Sequence, residues 1–217
     1  MDNRWSDLVS PGPTPVHPLF EDVTEETVTV LRGASEPQRG VTGLSEDEGR
    51  LGRFLTDAHD VFWLGVHGGA GESVLADLLG GTACHHRWPA RPNEETQHSP
   101  APVFLVARQN KHGLDAARLA ARDWAAGAHP DVDLQGLVLV ADAPGRTPKP
   151  LAAQTRVISG GVPSTWVVPW IEELRLTGTV DWESMAREPR KVLTALGEAA
   201  DEATSIHGTT QVEGTPP

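Results

Sequence analysis

The chain has 217 residues, a formal net charge of −12 and a sequence pI of about 5.1. This acidic balance argues against nonspecific binding to nucleic acid or to anionic membranes, because both are polyanions. The single cysteine, Cys84, excludes an internal disulfide framework and fits a reducing cytoplasm. No apolar run approaches the roughly 20 residues that span a bilayer. We therefore expect a cytoplasmic protein with one α/β domain and flexible ends.

The first 50 residues are rich in proline and contain ten acidic residues against four arginines. They lack a basic region followed by an apolar core, so a secretory signal is not expected. One short strand is predicted over residues 27–31, and the rest of 1–50 is predicted to be an extended or disordered arm. The alternative is an arm that wraps around a partner, with Trp5, Leu8 and Phe20 as anchors.

Residues 61–79 carry the most informative pattern. An apolar run over 61–66 leads through a glycine-rich turn into an amphipathic pattern over 73–79, which predicts a strand, a tight loop and a helix. Gly68, Gly69 and Gly71 leave out side chains where the backbone must turn sharply and approach a ligand. Ser73 opens a helix whose free N–H groups and dipole favour an anion. The loop is therefore predicted to be a phosphate cradle.

The later elements alternate between strands and helices. Residues 82–101 are polar and are predicted to form a loop with a brief strand at 86–88. Apolar runs and helical spacing then predict strands over 103–107, 134–140 and 165–168, and helices over 114–126, 151–158 and 189–203. This order predicts an α/β fold with a three-layer, mostly parallel sheet over residues 51–205, followed by a flexible tail over 206–217.

The loop from His67 to Ser73 reads H-G-G-A-G-E-S. It resembles the deviant Walker A loop of ParA/MinD-type P-loop proteins, K-G-G-x-G-K-[ST], and the order of elements over 62–176 is similar to that class. The resemblance implies a truncated P-loop NTPase-like fold, ATP or ADP with Mg²⁺ at the loop, and dimerisation across it. The whole pattern is similar to an actinobacterial branch of degenerate P-loop-like proteins. That branch implies an accessory role in a mobile-element or conjugation system.

Both lysines of that loop are replaced. His67 stands at the position of the signature lysine, and Glu72 stands at the position of the P-loop lysine, which normally reaches the β- and γ-phosphates. Two like charges about 4 Å apart repel by roughly 4 kcal/mol at an effective dielectric constant of about 20. The chain is therefore expected to keep the loop without its chemistry, and no catalytic residue is predicted.

Three further residues are candidates for the same site. Arg108 and Lys111 follow an apolar strand and are expected at the same carboxyl edge as the loop, where they would supply positive charge or simply be solvated. Asp142 ends the next strand and would hold Mg²⁺ through water or cap the turn that follows. Glu72 has a structural alternative, because a carboxylate in the first helical turn contributes about 0.3–1 kcal/mol. It would then partly fill the anion site itself.

Two other kinds of site are weaker. Four residues suggest zinc, but adjacent histidines are not a usual chelating pair and a second cysteine is missing, so no metal site is predicted: Cys84, His85, His86 and His98. The H-G-G segment is also similar to the oxyanion loop of esterases. Ser73 and Ser159 both lack a glycine of the nucleophile elbow, which argues against a hydrolase.

Taken together, the sequence predicts a noncatalytic, P-loop-derived protein (a pseudo-NTPase) that acts through protein–protein interaction. The expected partner is another protein, with a homodimer as the form that the resemblance implies. Trp166, Trp170 and Trp182 are candidates for an exposed apolar face, since tryptophan is enriched at interfaces. The alternative function is a nucleotide-binding ATPase or switch of the ParA/MinD type with a non-lysine P-loop.

Overall fold

The computed structural model describes residues 28–92 and 99–208. A 3₁₀ turn covers Glu46–Glu48. The strands are β1 (Leu31–Arg32), β2 (Gly52–Leu55), β3 (Phe62–Gly65), β4 (Thr82–Ala83), β5 (Arg87–Ala90), β6 (Ala101–Arg108), β7 (Val132–Val140) and β8 (Ser164–Val168). The helices are α1 (Glu72–Leu79), α2 (Lys111–Ala125), α3 (Lys149–Ser159), α4 (Glu172–Thr177) and α5 (Arg187–Gly208).

The main sheet has the strand order β1-β8-β7-β6-β3-β4. Its neighbouring strands run parallel except for β1, which pairs antiparallel with β8. One core cluster contains Leu114 and Trp124 of α2, and the other contains Leu75 of α1 and Leu196 of α5. Helices therefore pack on both faces. The predicted α/β class and mostly parallel sheet are confirmed, and the layering is compatible with a three-layer fold.

The segment predicted to be a polar loop is more ordered than its composition indicates. Strands β4 and β5 lie within it, and β5 pairs in parallel with β2 to form a small second sheet. Trp88 of β5 is fully buried, and its ring stacks on His129 with ring centroids 4.2 Å apart. A four-residue strand among polar residues shows no alternating pattern, so only its approximate place, 86–88, could be predicted.

The regular elements near the two ends of the described chain differ in extent from the predicted ones. Of the strand expected over 27–31, residue 27 lies outside the described residues, and β1 covers only Leu31–Arg32, which pairs with β8. The segment after it also contacts the domain, since Gln38 N–H donates to Ala125 O at 2.8 Å. Helix α5 extends to Gly208, beyond the predicted end at residue 203 and into the predicted tail. The predictions for Trp5, Leu8, Phe20 and His98 lie outside the described residues.

A buried carboxylate connects the N-terminal part of the described chain to α2. Asp123 is 1% exposed and accepts hydrogen bonds from Leu44 N–H at 3.1 Å, from Arg50 Nε at 3.1 Å and from His129 Nε2 at 2.8 Å. Burial opposes ionisation of Asp123, but these hydrogen bonds outweigh it and hold the pKa of this carboxyl below its usual value. Asp123 therefore fixes the segment at 44–50 against the domain.

The predicted tryptophan face is only partly present. Trp166 is buried in the sheet, 5.5 Å from Phe104 between ring centroids, so its assignment to an exposed face is wrong. Trp170 and Trp182 are half-buried. None of the helices in the described ranges combines the length and apolarity that crossing a bilayer requires.

Candidate functional site

The predicted strand–loop–helix is present. Strand β3 ends at Gly65, and α1 begins at Glu72. Gly69 and Gly71 adopt φ angles of +74° and +107°, in the left-handed region that favours glycine. A Cβ atom built on Gly68 or Gly69 would meet nothing within 4 Å. The loop therefore presents open backbone at the carboxyl end of the sheet.

The amino terminus of α1 is not capped by a side chain. Gly71 is the N-cap residue and has no side chain that could accept from the first turn. The N–H of Leu75 donates to Gly71 O at 3.1 Å and begins the helical hydrogen bonds. The N–H groups before it are those that a helix leaves for a ligand, for water or for a cap.

Glu72 is the most unusual residue of the loop. It is only 6% exposed, and its Oε2 accepts a hydrogen bond from Gly65 N–H at 2.5 Å. The carbonyl group of the same residue is also bonded, because His86 Nδ1 donates to Gly65 O at 2.7 Å. The Glu72 side chain thus supplies a hydrogen-bond acceptor for the backbone at the end of β3, where β4 no longer provides a neighbouring strand. Its Oε2 atom is therefore bonded to β3; that Glu72 partly fills the anion site of α1 stays a prediction.

The glycine at position 65 makes this arrangement possible. A Cβ atom on Gly65 would lie 2.7 Å from both Cδ and Oε2 of Glu72. The other carboxylate oxygen, Oε1, lies 3.9 Å from the Nδ1 atoms of His85 and His86. These two histidines have positive φ angles of 50° and 62° in the turn that leads from β4 to β5. A strained turn therefore holds two imidazoles close to a buried carboxylate.

His67 is held in the loop by contacts of both of its ring nitrogens. Its Nε2 accepts from Arg108 N–H at 3.0 Å, and its Nδ1 lies 2.9 Å from Gly68 O. One amide donor and one carbonyl acceptor together require a neutral ring with its proton on Nδ1. Burial lowers the pKa of His67, which favours the same neutral form. His67 therefore connects the loop to β6 without supplying positive charge.

Of the three further candidates, one joins the loop. The Arg108 guanidinium donates to Ala141 O at 3.0 Å and lines the cavity beside the loop. Lys111 is exposed and pairs with Asp115, one helical turn further on. Asp142 is exposed and lines a different cavity, together with Gln109 and Thr147. The structure therefore brings Arg108 to the loop but not Lys111 or Asp142.

The cavity beside the loop has a volume of about 300 Å³. The polar part of its lining contains residues 69–73, His86 and Arg108, and so includes the candidates Gly69, Gly71, Glu72 and Ser73. The lining also contains an apolar wall that was not predicted: Val140, Val168, Ile171, Leu174 and Leu193. These side chains come from β7, β8, α4 with the residue before it, and α5. The ends of the apolar runs at Val140 and Val168 were the only sequence signal for this wall.

The cysteine and its neighbouring histidines give no sign of a metal centre. Among residues 28–92 and 99–208, no group of three histidine, cysteine, aspartate or glutamate side chains is placed to hold a metal ion. Cys84 is buried, and both burial and the charge of Glu72 raise the pKa of its thiol. Because the thiolate is the reactive form, Cys84 is expected to be inert.

The structural role of Glu72 can be measured directly. Glu72→Ala is expected to lower the free energy of unfolding by about 1–3 kcal/mol, because the buried Gly65 N–H loses its acceptor. Glu72→Gln is the matched control, since its amide oxygen can still accept from Gly65, and it should lose less than half as much. Urea unfolding of both variants provides the comparison. Equal losses in the two variants would contradict the assigned hydrogen bond.

Comparison with known proteins shows a match to one protein-family model. Residues 59–192, more than half of the chain, match the sequence model of a family described as "Family of unknown function (DUF6668)". The matched range includes β3, the glycine-rich loop and most of the cavity wall. No curated protein matches the chain. The chain therefore belongs to the family of unknown function DUF6668.

Proposed function

We propose that this chain is a noncatalytic, P-loop-derived protein of ParA/MinD-like ancestry that acts by binding a protein partner. The observation that carries the proposal is the position of Glu72. A carboxylate stands where the resemblance places the phosphate-binding lysine, and it is held there by a 2.5 Å hydrogen bond from Gly65 N–H. A side chain used in this way supports a loop that keeps its shape without handling phosphate.

The charges around the loop support the absence of turnover. A triphosphate on the loop amides would approach the Glu72 carboxylate, and each pair of unit charges about 4 Å apart would repel by roughly 4 kcal/mol. Among the described residues that line the cavity, Arg108 is the cation that could offset this repulsion. Asp142 faces a separate cavity, so the carboxylate that would hold Mg²⁺ is not beside the loop. This arrangement favours binding over hydrolysis.

An open groove between α1 and α5 supports the interaction role. Its volume is about 340 Å³; its floor is apolar and its rim is acidic, with Leu78, Leu79, Trp182 and Leu193 in the floor and Glu198 and Asp201 on the rim. With a net charge of −12 on the chain, charge complementarity favours a basic partner segment that carries apolar anchor residues. A second copy of this acidic chain would bring like charges together, so a different protein is the proposed partner.

The catalytic half of the proposal is tested with the full-length chain, ATP and ADP, with and without Mg²⁺. Calorimetry and a phosphate-release assay should show neither binding nor turnover for wild type. Glu72→Lys should gain ATP binding if the cradle is intact, with the melting temperature as a check on folding and Glu72→Gln as a milder second variant. Wild-type binding with a Kd below about 1 mM, or Mg²⁺-dependent phosphate release, would contradict the proposal.

The groove is tested with an amphipathic helical peptide of leucine and lysine as the probe. Leu79→Asp is expected to weaken its binding at least tenfold, because it places a charge on the apolar floor. Val157→Asp on α3 is the matched control, since Val157 is already 75% exposed and lies outside the groove. Equal effects of the two substitutions would show that the groove is not the docking surface. Loss of a wild-type dimer in Leu79→Asp would assign the groove to self-association instead.

A nucleotide-binding switch is the second candidate, and it has its own supporting observations. Gly68 and Gly69 leave open space around the loop, α1 has no side-chain cap, and Arg108 lines the same cavity. ATP or ADP with Mg²⁺ would then bind without a lysine. The calorimetric titration decides between the two candidates.

A further inference from the structure

The cavity beside the loop combines two different kinds of wall. Part of the lining is formed by the glycine-rich loop and the first turn of α1, and part by aliphatic side chains from β7, β8, α5 and the beginning of α4. Its volume of about 300 Å³ lies at the lower end of the range for small-molecule sites. A ligand that fits it must therefore be small, with a polar head and an apolar body.

The polar part of the lining offers hydrogen-bond donors to one anionic group. The first turn of α1 has no side-chain cap, so its N–H groups are open to a ligand. Arg108 lines the same cavity, and one of its nitrogens donates to Ala141 O at 3.0 Å. The guanidinium carries five N–H donors in total, so further donors remain for a carboxylate.

Glu72 adds a carboxylate to the same lining. The residue is buried, it lines the cavity, and its Oε2 accepts a hydrogen bond from Gly65 N–H. The Oε1 atom lies 3.9 Å from the Nδ1 atoms of His85 and His86, which is longer than a hydrogen bond. A carboxylate oxygen with only these long contacts, on a residue that lines the cavity, favours a cationic donor at close range.

We propose that the cavity binds an apolar α-amino acid. The ligand carboxylate lies on the α1 amides and Arg108, the ligand ammonium donates to Glu72 Oε1, and the apolar side chain packs against Ile171, Leu174 and Leu193. The charges support this class of ligand. The positive charge of Arg108 and the negative charge of Glu72 cancel in the polar part of the lining, which matches a zwitterion and disfavours a triphosphate. The inference goes beyond the proposed function, because it requires neither the groove nor a protein partner.

The test is calorimetric titration of the full-length protein with L-leucine, L-phenylalanine, L-methionine and L-tryptophan. Three further probes each lack one part of leucine. The ammonium group is missing from 4-methylpentanoate, the carboxylate from 3-methylbutylamine, and the apolar side chain from glycine. We expect at least one of the four amino acids to bind with a Kd below about 1 mM, and each dissected probe to bind at least tenfold more weakly. No binding by any of the four would overturn the assignment.

Substitutions then locate the ligand. Glu72→Gln keeps an acceptor for Gly65, so it should weaken amino-acid binding at least tenfold while leaving 4-methylpentanoate binding within about threefold. Arg108→Gln should weaken both ligands, and Leu174→Asp should do the same from the apolar wall. Melting temperatures check that each variant is folded. If 4-methylpentanoate bound as tightly as leucine, the role of Glu72 would be overturned. If none of the ligands bound, the amino-acid assignment would be overturned and the noncatalytic proposal would be unaffected.

Discussion

Gly113→Ala is expected to destabilise the protein by about 3 kcal/mol, the upper part of the range for overpacking. Gly113 lies in the first turn of α2, where Asn110 Oδ1 caps the helix by accepting from Gly113 N–H at 2.8 Å. A Cβ atom there would lie 2.2 Å from Arg108 O and 2.9 Å from His67 Nε2. Because Arg108 O is a backbone atom, α2 must move away and the hydrogen bond between His67 and Arg108 must lengthen.

Gly197→Ala is the matched control, because Gly197 is also helical but its added Cβ would make an ordinary 3.5 Å contact with Leu79 Cδ2. Alanine at this site should be neutral or stabilise the protein by up to about 1 kcal/mol through helix propensity. Urea unfolding of the two variants gives the comparison. Equal stability of Gly113→Ala and wild type would show that β6, the loop and α2 are not packed as closely as described.

Asp123→Ala should cost about 3 kcal/mol, the upper end of the range for leaving buried hydrogen-bond donors without an acceptor. The substitution leaves Leu44 N–H, Arg50 Nε and His129 Nε2 without their shared acceptor. His129 is 4% exposed, so water cannot easily replace the lost contact. Asp77→Ala, on the exposed surface of α1, is the control and should change stability by less than about 0.5 kcal/mol.

The same cluster predicts how stability depends on pH. Burial lowers the pKa of His129, so its neutral form favours folding, and stability is lost as the pH falls below the unfolded value of about 6.5. The pKa of Asp123 is also lowered, so its contribution is present above about pH 4 and is lost as the pH falls through the folded pKa. Asp123→Ala should keep the loss of stability that comes from His129 and should lack the loss that comes from Asp123. An unchanged acid limb below about pH 4 would contradict the role of Asp123.

The regular elements were predictable where the pattern was long. The buried strand β6 and the second half of β7 read as continuous apolar runs, and α2 follows helical spacing, so their existence and order could be predicted. The second sheet could not be predicted. Its strand β5 is four residues long, contains Pro89, and depends on pairing with β2 more than 30 residues earlier. Tertiary packing and not local pattern decides such a strand.

The glycine-rich loop was predictable because glycine has a local conformational meaning, and Gly69 and Gly71 do adopt positive φ angles. The direction of the Glu72 side chain was not predictable, because its role as an acceptor depends on Gly65, whose missing Cβ leaves room for the carboxylate. His67 was placed correctly in the loop, but its partner is the backbone of Arg108, across the sheet. The apolar wall comes from residues about 70–120 positions later in the chain, and no local signal joins those residues to the loop.

The central claim is that Gly65 N–H holds Glu72 and that the loop consequently binds no triphosphate. Amide NMR of the ¹⁵N-labelled protein tests both halves at once. We expect the Gly65 resonance to shift in Glu72→Gln, and we expect millimolar ATP with Mg²⁺ to leave the resonances of Gly65, Gly69 and Gly71 unchanged in wild type. A saturable ATP-dependent shift of Gly69 and Gly71, or a Gly65 resonance indifferent to the Glu72 substitution, would contradict it.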